Sequence, residues 1–253
     1  MDLQGLAAVI TGGASGLGAA TAALLAARGC RVAVLDINRA AAEASAARFG
    51  GVGIACDVAD GQSGEAAMAA ARAAHGPVRI LVNCAGVGTA GRIVGRDGPL
   101  ALDAFERVIR INLIGTFNML RLAAAEMSAA DPLADGERGV IVNTASIAAY
   151  EGQVGQPAYA ASKGGVVGLT LPAARELARA GVRVVTIAPG LFHTPMVDGL
   201  PPEVQAGLAA GIPFPPRLGR PEEYAALVEH IAVNRFLNGE VIRLDGALRM
   251  PPR

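Results

Sequence analysis

Tyr159 and Lys163 stand four residues apart in Pro157–Arg179, a stretch with helical character, so a phenol and an ammonium share one helix face. A free phenol titrates near pH 10, too high for a general base at neutral pH. A fixed ammonium one turn away favours the phenolate, and a positively charged cofactor ring beside it would add to that effect. Ser146 lies 13 residues before Tyr159, at the end of a predicted strand, where its hydroxyl could hold a substrate oxygen opposite the phenol. Asn112 falls inside a long predicted helix, where its poor propensity asks for a reason. Two readings stand open for it: it holds a water that relays protons to Lys163, or it is a helix irregularity.

Thr11-Gly-Gly-Ala-Ser-Gly-Leu-Gly18 follows a predicted strand and opens a predicted helix. In that context Gly12 permits a tight turn, while Gly16 and Gly18 allow backbone to approach phosphates and the helix to pack on the sheet. Free N–H groups at the helix start favour a pyrophosphate. Asp36 ends the second predicted strand 18 residues beyond Gly18, a spacing suited to holding adenosine ribose hydroxyls. A carboxylate there repels a 2′-phosphate, and Ile37 and Asn38 supply no cation for one, although Arg39 is near. The expected cofactor is therefore NAD. Asp57-Val58 closes the third predicted strand and either holds the adenine or merely ends a strand. Asn83-Cys84-Ala85-Gly86 closes the fourth, and Pro189-Gly190 closes the sixth, with Thr194 beyond it in reach of a cofactor phosphate or carboxamide. Neither a glycine-rich turn nor a helical Tyr/Lys pair requires a ligand by itself; together they describe hydride transfer coupled to proton transfer.

The elements that must position these groups alternate along the chain. Strands are predicted at Ala7–Thr11, Arg31–Asp36, Gly53–Asp57, Ile80–Asn83, Val140–Thr144, Val182–Ala188 and Val241–Leu244, most of them nearly all apolar, as in strands covered on both faces. Helices are predicted at Gly18–Arg28, Asp103–Met127, Pro157–Arg179 and Pro221–Asn234. The pattern is α/β: a single doubly wound domain over residues 1–253, with a seven-stranded parallel sheet and helices on both faces. Residues 1–100 form mainly the cofactor half and 101–253 the catalytic half. Leu191–Arg220, with six prolines, reads as a substrate lid, and Gly86–Leu102 is rich in glycine and arginine.

Composition removes several classes. Lys plus Arg and Asp plus Glu are 22 each among 253 residues, so no basic excess points to nucleic acid or an anionic membrane. Apolar content is 52%, yet no uninterrupted apolar run reaches the length of a membrane span. Leu6–Ile10 already reads as strand, which leaves no room for a removable leader. Cys30, Cys56 and Cys84 show neither disulfide nor zinc spacing, which fits a reducing cytoplasm. His75, His193 and His230 do not cluster, and no metal site is expected. His193 either meets substrate or is a solvated loop residue.

With these motifs in place the chain resembles the short-chain dehydrogenase/reductase family over essentially its whole length: Thr11–Gly18, Asp57, Asn83–Gly86, Asn112, Ser146, Tyr159–Lys163 and Pro189-Gly190. Within it the chain is similar to the type 2 3-hydroxyacyl-CoA dehydrogenase branch, also described as type 10 17β-hydroxysteroid dehydrogenases, through Val140–Ser146, Glu151–Gln156, Ile187–Phe192, Pro213–Pro215 with Arg217–Gly219, and Phe236–Gly246. The resemblance implies NAD contacts through Ser15, Leu17, Asp36, Asp57, Val58, Cys84, Tyr159, Lys163, Phe192 and Thr194, substrate contacts through Ser146, Gln153 and Tyr159, and a homotetramer. It further implies reversible oxidation of a short or branched (S)-3-hydroxyacyl-CoA, as in fatty-acid or isoleucine breakdown, with a hydroxysteroid or other secondary alcohol as the alternative substrate. Leu191, Phe192, Met196, Val197, Leu200 and Phe214 are expected to line the lid for an acyl chain. Arg92 and Arg96 either meet CoA phosphates or are solvated. Two departures stand out. Cys84 replaces a commoner asparagine, where only its backbone is expected to matter, and Pro172 falls inside the catalytic helix.

Overall fold

The computed structural model describes residues 1–96, 98–199 and 201–252, with the Met196 side chain also outside the description. In chain order the elements are β1 (Ala7–Thr11), α1 (Gly16–Ala27), β2 (Arg31–Asp36), α2 (Arg39–Ala47), β3 (Val52–Ala55), α3 (Gly61–His75), β4 (Val78–Asn83), β5 (Val94–Gly95), β6 (Gly98–Pro99), α4 (Leu102–Ile109), α5 (Gly115–Ala129), β7 (Gly139–Thr144), α6 (Pro157–Leu177), β8 (Val182–Pro189), α7 (Pro195–Asp198), α8 (Pro202–Ala210), α9 (Pro221–Val233) and β9 (Val241–Leu244). Seven strands pair in parallel in the order β3-β2-β1-β4-β7-β8-β9. β5 and β6 form a separate antiparallel hairpin inside the segment expected to be irregular.

Strand alternation builds two cores, because successive side chains point to opposite faces. Ile10, Val34, Val82, Val142 and Ile187 face the layer that holds Leu25 of α1 and Val228 of α9. Val9, Leu35, Leu81, Ile141 and Val184 face the other, against Met68, Met119 and Met127. Each such side chain contributes roughly 1.5–3 kcal/mol by leaving water. Strand order reverses between β1 and β4, where Thr11 and Asn83 are register partners, so a crevice opens beyond their C-terminal ends.

Several boundaries differ from expectation. β3 stops at Ala55, which leaves Asp57 in a turn where its Oδ1 accepts from the Ala59 N–H at 2.9 Å. The long helix over Asp103–Met127 is not continuous: a π-helical turn at Arg110–Ile114 separates α4 from α5. Asn112 sits in that turn and spends its side chain on a neighbouring loop, and the Thr116 hydroxyl donates to its carbonyl at 2.7 Å. α4 to α5 is also long and apolar enough to cross a membrane, but half of that stretch is buried in the second core. α6 runs through Pro172 without ending there. The lid is not a bare loop; it carries α7 and α8.

One buried ion pair closes the layers. Arg183 of β8 donates from Nε to Glu137 Oε1 at 2.8 Å. It also donates to the carbonyls of Ile231 and Ala232 at 2.9 and 3.1 Å, acceptors the end of α9 leaves without helical partners, and to that of Leu237 beyond the helix at 2.8 Å. Arg183→Leu should lower the unfolding free energy by about 3 kcal/mol, because the buried Glu137 then keeps only its longer ion pairs, to the Met1 amino group at 3.6 Å and to Arg235 at 3.4 Å, and adding Glu137→Gln should recover part of that. Urea unfolding followed by circular dichroism measures both; equal stability of wild type and Arg183→Leu would show the pair to be idle.

Candidate active site

The glycine turn is a cradle that only glycine permits at two points. A Cβ on Gly12 would stand 2.8 Å from Ala85 backbone, and Gly12 has φ +61°; a Cβ on Gly18 would stand 2.3 Å from the Gly12 carbonyl oxygen. Ser15 precedes α1 without capping it through its side chain, and the first turn holds no acidic residue. The first N–H groups of α1 thus face the crevice without a side-chain acceptor, which suits a dinucleotide pyrophosphate. Beside the cradle the Cys84 N–H donates to Thr11 O and the Ala85 N–H to Thr11 Oγ1, both at 3.2 Å. Gly16 lies under the lid, where a Cβ would meet the Thr194 methyl at 3.4 Å.

The second half of the site assembles around Lys163, the only lysine in the chain. It is 5% exposed, and its Nζ donates to the Thr144 carbonyl at the end of β7 at 2.7 Å. Nζ stands 5.8 Å from the centre of the Tyr159 ring. Burial lowers the Lys163 ammonium to about 8, with Cys84 acting in the opposite sense. Burial raises the Tyr159 phenol, while its hydrogen bond to the Ser146 hydroxyl pulls it back down. The direction is opposite to that expected from the lysine, because desolvation of the phenolate is the largest influence. Ser146 also accepts from the Ala148 N–H at 3.1 Å, which fixes its oxygen beside the phenol.

The Asn112 side chain is committed to protein partners. Its Oδ1 accepts from the Val87 N–H at 2.8 Å, and its Nδ2 donates to Val87 O at 2.9 Å and to Ser162 Oγ at 3.0 Å. Ser162 in turn donates to the Tyr159 carbonyl at 2.8 Å. Asn112 thus ties the loop that carries Gly86 to the helix that carries Tyr159. Ser162 was missed in the sequence, where it passes for one more small residue on a helix.

This constellation has relatives. Residues 6–205 match the family model described as short chain dehydrogenase. The chain belongs to the short-chain dehydrogenase family. It is 52% identical to 3-hydroxyacyl-CoA dehydrogenase type-2 of Homo sapiens, over 99% of this chain and 98% of that protein. It is 50% identical to the protein of the same name from Drosophila melanogaster, over 99% of this chain and all of the relative. A crystal structure of 3-hydroxyacyl-CoA dehydrogenase type-2 from Mycobacterium avium superposes with a TM-score of 0.94 at 46% identity, covering 98% of each chain.

In this short-chain dehydrogenase the other expected site residues fall into three groups. At the crevice are Gly12, Ser15, Gly18, Ala85 and Gly86, with Leu17, Phe192 and Thr194 around it; a Cβ on Gly86 would stand 3.2 Å from Asn112 Oδ1 and 3.6 Å from Lys163 Nζ. Asp36 lies at its strand end and accepts from the Asn38 N–H at 3.0 Å. Others are turned inward. Val58 packs its side chain on Gly115, and Asn83 donates from Nδ2 to Asn143 Oδ1 at 3.0 Å, so both act as scaffold beneath the crevice. Pro189 ends β8 inside the core and steers the chain into the lid.

Gln153 donates to the Pro251 carbonyl at 3.1 Å on the rim of a cleft of about 500 Å³, which Arg92, Ile93 and Val94 share. Arg96 is exposed on the hairpin turn. Of the apolar lid residues, Leu191 and Val197 pack in a small core with Ile147, Phe192 seats on Gly219, and Phe214 is 79% exposed and lines nothing. Leu200 and the Met196 side chain lie outside the described residues. His193 pairs with Asp198 at 3.1 Å on the exposed lid surface. Among the described residues no cluster of His, Cys, Asp and Glu could hold a metal.

With one lysine in the chain, ¹³C-lysine labelling reports this site alone. Its single side-chain resonance should titrate with a midpoint of about 8 in the free protein, against roughly 10.4 for an exposed lysine. A midpoint at the ordinary value would show the ammonium to be solvated.

Proposed function

We propose that this dehydrogenase reversibly oxidises a short or branched (S)-3-hydroxyacyl-CoA to the 3-oxoacyl-CoA with NAD. The observation that carries the reading is a complete Ser146–Tyr159–Lys163 constellation, in a chain that matches 3-hydroxyacyl-CoA dehydrogenase type-2 relatives from end to end. Bound NAD supplies the hydride acceptor and a positive charge beside the phenol. With Lys163 and the cofactor's positive charge favouring its phenolate, Tyr159 would take the proton of the substrate hydroxyl and become the phenol as the C–H hydride passes to the nicotinamide, and Ser146 would hold the oxygen while it becomes a carbonyl. Lys163 keeps a positive charge beside the phenol at neutral pH. In the reverse direction Tyr159 returns its proton to the carbonyl oxygen.

NAD in preference to NADP is supported by Asp36 and by the state of the nearest cation. Arg39 is paired with Glu43 at 2.9 Å instead of facing the strand end. The cleft beside Gln153 supports an acyl-CoA substrate, since Arg92 there offers charge to phosphates and Ile93 and Val94 offer apolar surface. We read the protein as a cytoplasmic homotetramer that serves fatty-acid or isoleucine breakdown. The exposed Ile114, Phe117 and Leu171 support subunit packing through the π turn, α5 and α6.

The direct test follows NADH absorbance with acetoacetyl-CoA, beside NADPH and beside ketosteroids and simple ketones. Turnover is expected with NADH and acetoacetyl-CoA, and Tyr159→Phe should cut kcat by at least about 100-fold. Silence there with turnover of a steroid or ketone would move the activity to another secondary alcohol. Asp36→Ala should reduce kcat/KM for NADH by about 10–100-fold while that for NADPH holds or rises; equal losses would remove the ribose role.

A further inference from the structure

Beneath Lys163 lies a buried polar ring that the reaction as described does not use. Thr144 donates from Oγ1 to Cys84 Sγ at 3.6 Å, and the Cys84 thiol donates to the Tyr224 hydroxyl at 3.7 Å, lengths that suit sulfur. The Tyr224 phenol, 2.7 Å from Thr144 Oγ1, completes the circuit by donating back. Each of the three groups then gives one hydrogen bond and receives one, so none is left orphaned in the core. Tyr224 is wholly buried on α9 and Thr144 is buried at the end of β7. The ring stands between two layers: α9 contributes the phenol from one face, and the Thr144 carbonyl points to α6, where it receives the Lys163 ammonium at 2.7 Å. A hydrophobic core position does not call for a phenol, since phenylalanine fills the same space without a hydroxyl to satisfy.

We propose that Tyr224, acting through the Thr144 hydroxyl, is a positioning residue for Lys163. The Cys84–Thr144–Tyr224 ring fixes the last peptide of β7 so that its carbonyl meets the ammonium that serves Tyr159. The inference deepens the function proposed above and rests on Lys163 acting as the partner of Tyr159. It also gives Cys84 a side-chain role, where only its backbone was expected to matter. Without the Tyr224 hydroxyl the Thr144 side chain keeps only its long contact to sulfur, the strand end loosens, and the buried ammonium loses part of the acceptor that compensates its desolvation. The charged form is then less favoured.

Tyr224→Phe keeps the ring packing and removes one hydroxyl. The ¹³C-lysine resonance should titrate at a lower midpoint than in wild type, by about half a unit, and kcat at pH 7 should fall about tenfold with both KM values within about twofold. Thr144→Val should reproduce both changes, and Thr144→Ser, which restores the hydroxyl, should recover most of kcat. A Tyr224→Phe protein with the wild-type lysine titration and kcat overturns the proposal, even if its Tm falls, because packing alone would then explain the residue. The two readouts separate the failures. If wild type does not turn over acetoacetyl-CoA, the substrate reading fails while the lysine titration still judges the ring.

Discussion

Burying one ammonium is the constraint on which the rest of this site depends. Lys163 is held out of water, which costs enough to bring it to about 8, and a single strand-end carbonyl answers it. Such a bond is useful only if its two ends cannot drift. β7 must therefore be locked in the middle of the sheet, where β4 and β8 flank it, and α6 must be locked to the layer above. The side chains that do this are not themselves reactive. Asn112 spans from Val87 to Ser162, Ser162 holds the Tyr159 carbonyl, and the ring under Thr144 secures the strand end from below. Lysine alone among the cations suits the place. The other 21 basic residues are arginines, whose charge does not move into the working range of pH, whereas a buried ammonium does.

The cofactor half meets this assembly at the point where strand order reverses. There β1 and β4 end side by side, and the backbone after β4 hydrogen-bonds to Thr11. Gly12 is pressed against Ala85 and Gly18 against Gly12, so the phosphate cradle is built by close backbone contact between two crossover connections. The same loop places Gly86 between Asn112 and Lys163. The cofactor shelf and the proton-transfer group therefore share one short stretch of chain, and neither can move without the other.

The strands and the catalytic pair were legible in the sequence because local signals carry them: apolar β-branched runs, a glycine cluster at a strand end, and a helical spacing of four. β1, β2 and β9 lie at the expected residues, and the ends of the expected helices shift by two residues at most, the one over Asp103–Met127 being broken by the π turn. What was not legible depends on contacts far along the chain. The π turn at Asn112 exists because its amide finds Val87, 25 residues away, and nothing local announces that. Asn83 and Val58 belong to the motifs themselves, yet tertiary packing turns their side chains inward. Ser162 and Tyr224 have no local signature at all; a buried hydroxyl becomes interpretable only when its partner is known. The lid was read as a proline-rich loop because its apolar residues show no clean period. Of its helices, α8 buries no residue fully, and only its half-buried Leu208 and Ala209 pack on the small core beside Ile147.

That packing gives the lid a specific attachment. Its two stems are zipped by Leu191, Phe192 and His193 against Gly219, where the Phe192 ring lies so close that a Cβ on Gly219 would stand 2.7 Å from it. Between the stems, Ile212, Leu218 and Val197 form a small core with Ile147 and with Leu248 and Met250. Ile147 is the residue after Ser146, and the same late segment accepts hydrogen bonds from Gln153 and Val154 through Pro251 and Pro252. The lid, the serine turn and the end of the chain thus pack as one body, separate from the two large cores. Rearrangement of the lid would press on the turn that sets the Ser146 hydroxyl, while Lys163, anchored to β7, would keep its place. The substrate side of the site is therefore tied to the lid core, and the proton-transfer side to the central sheet.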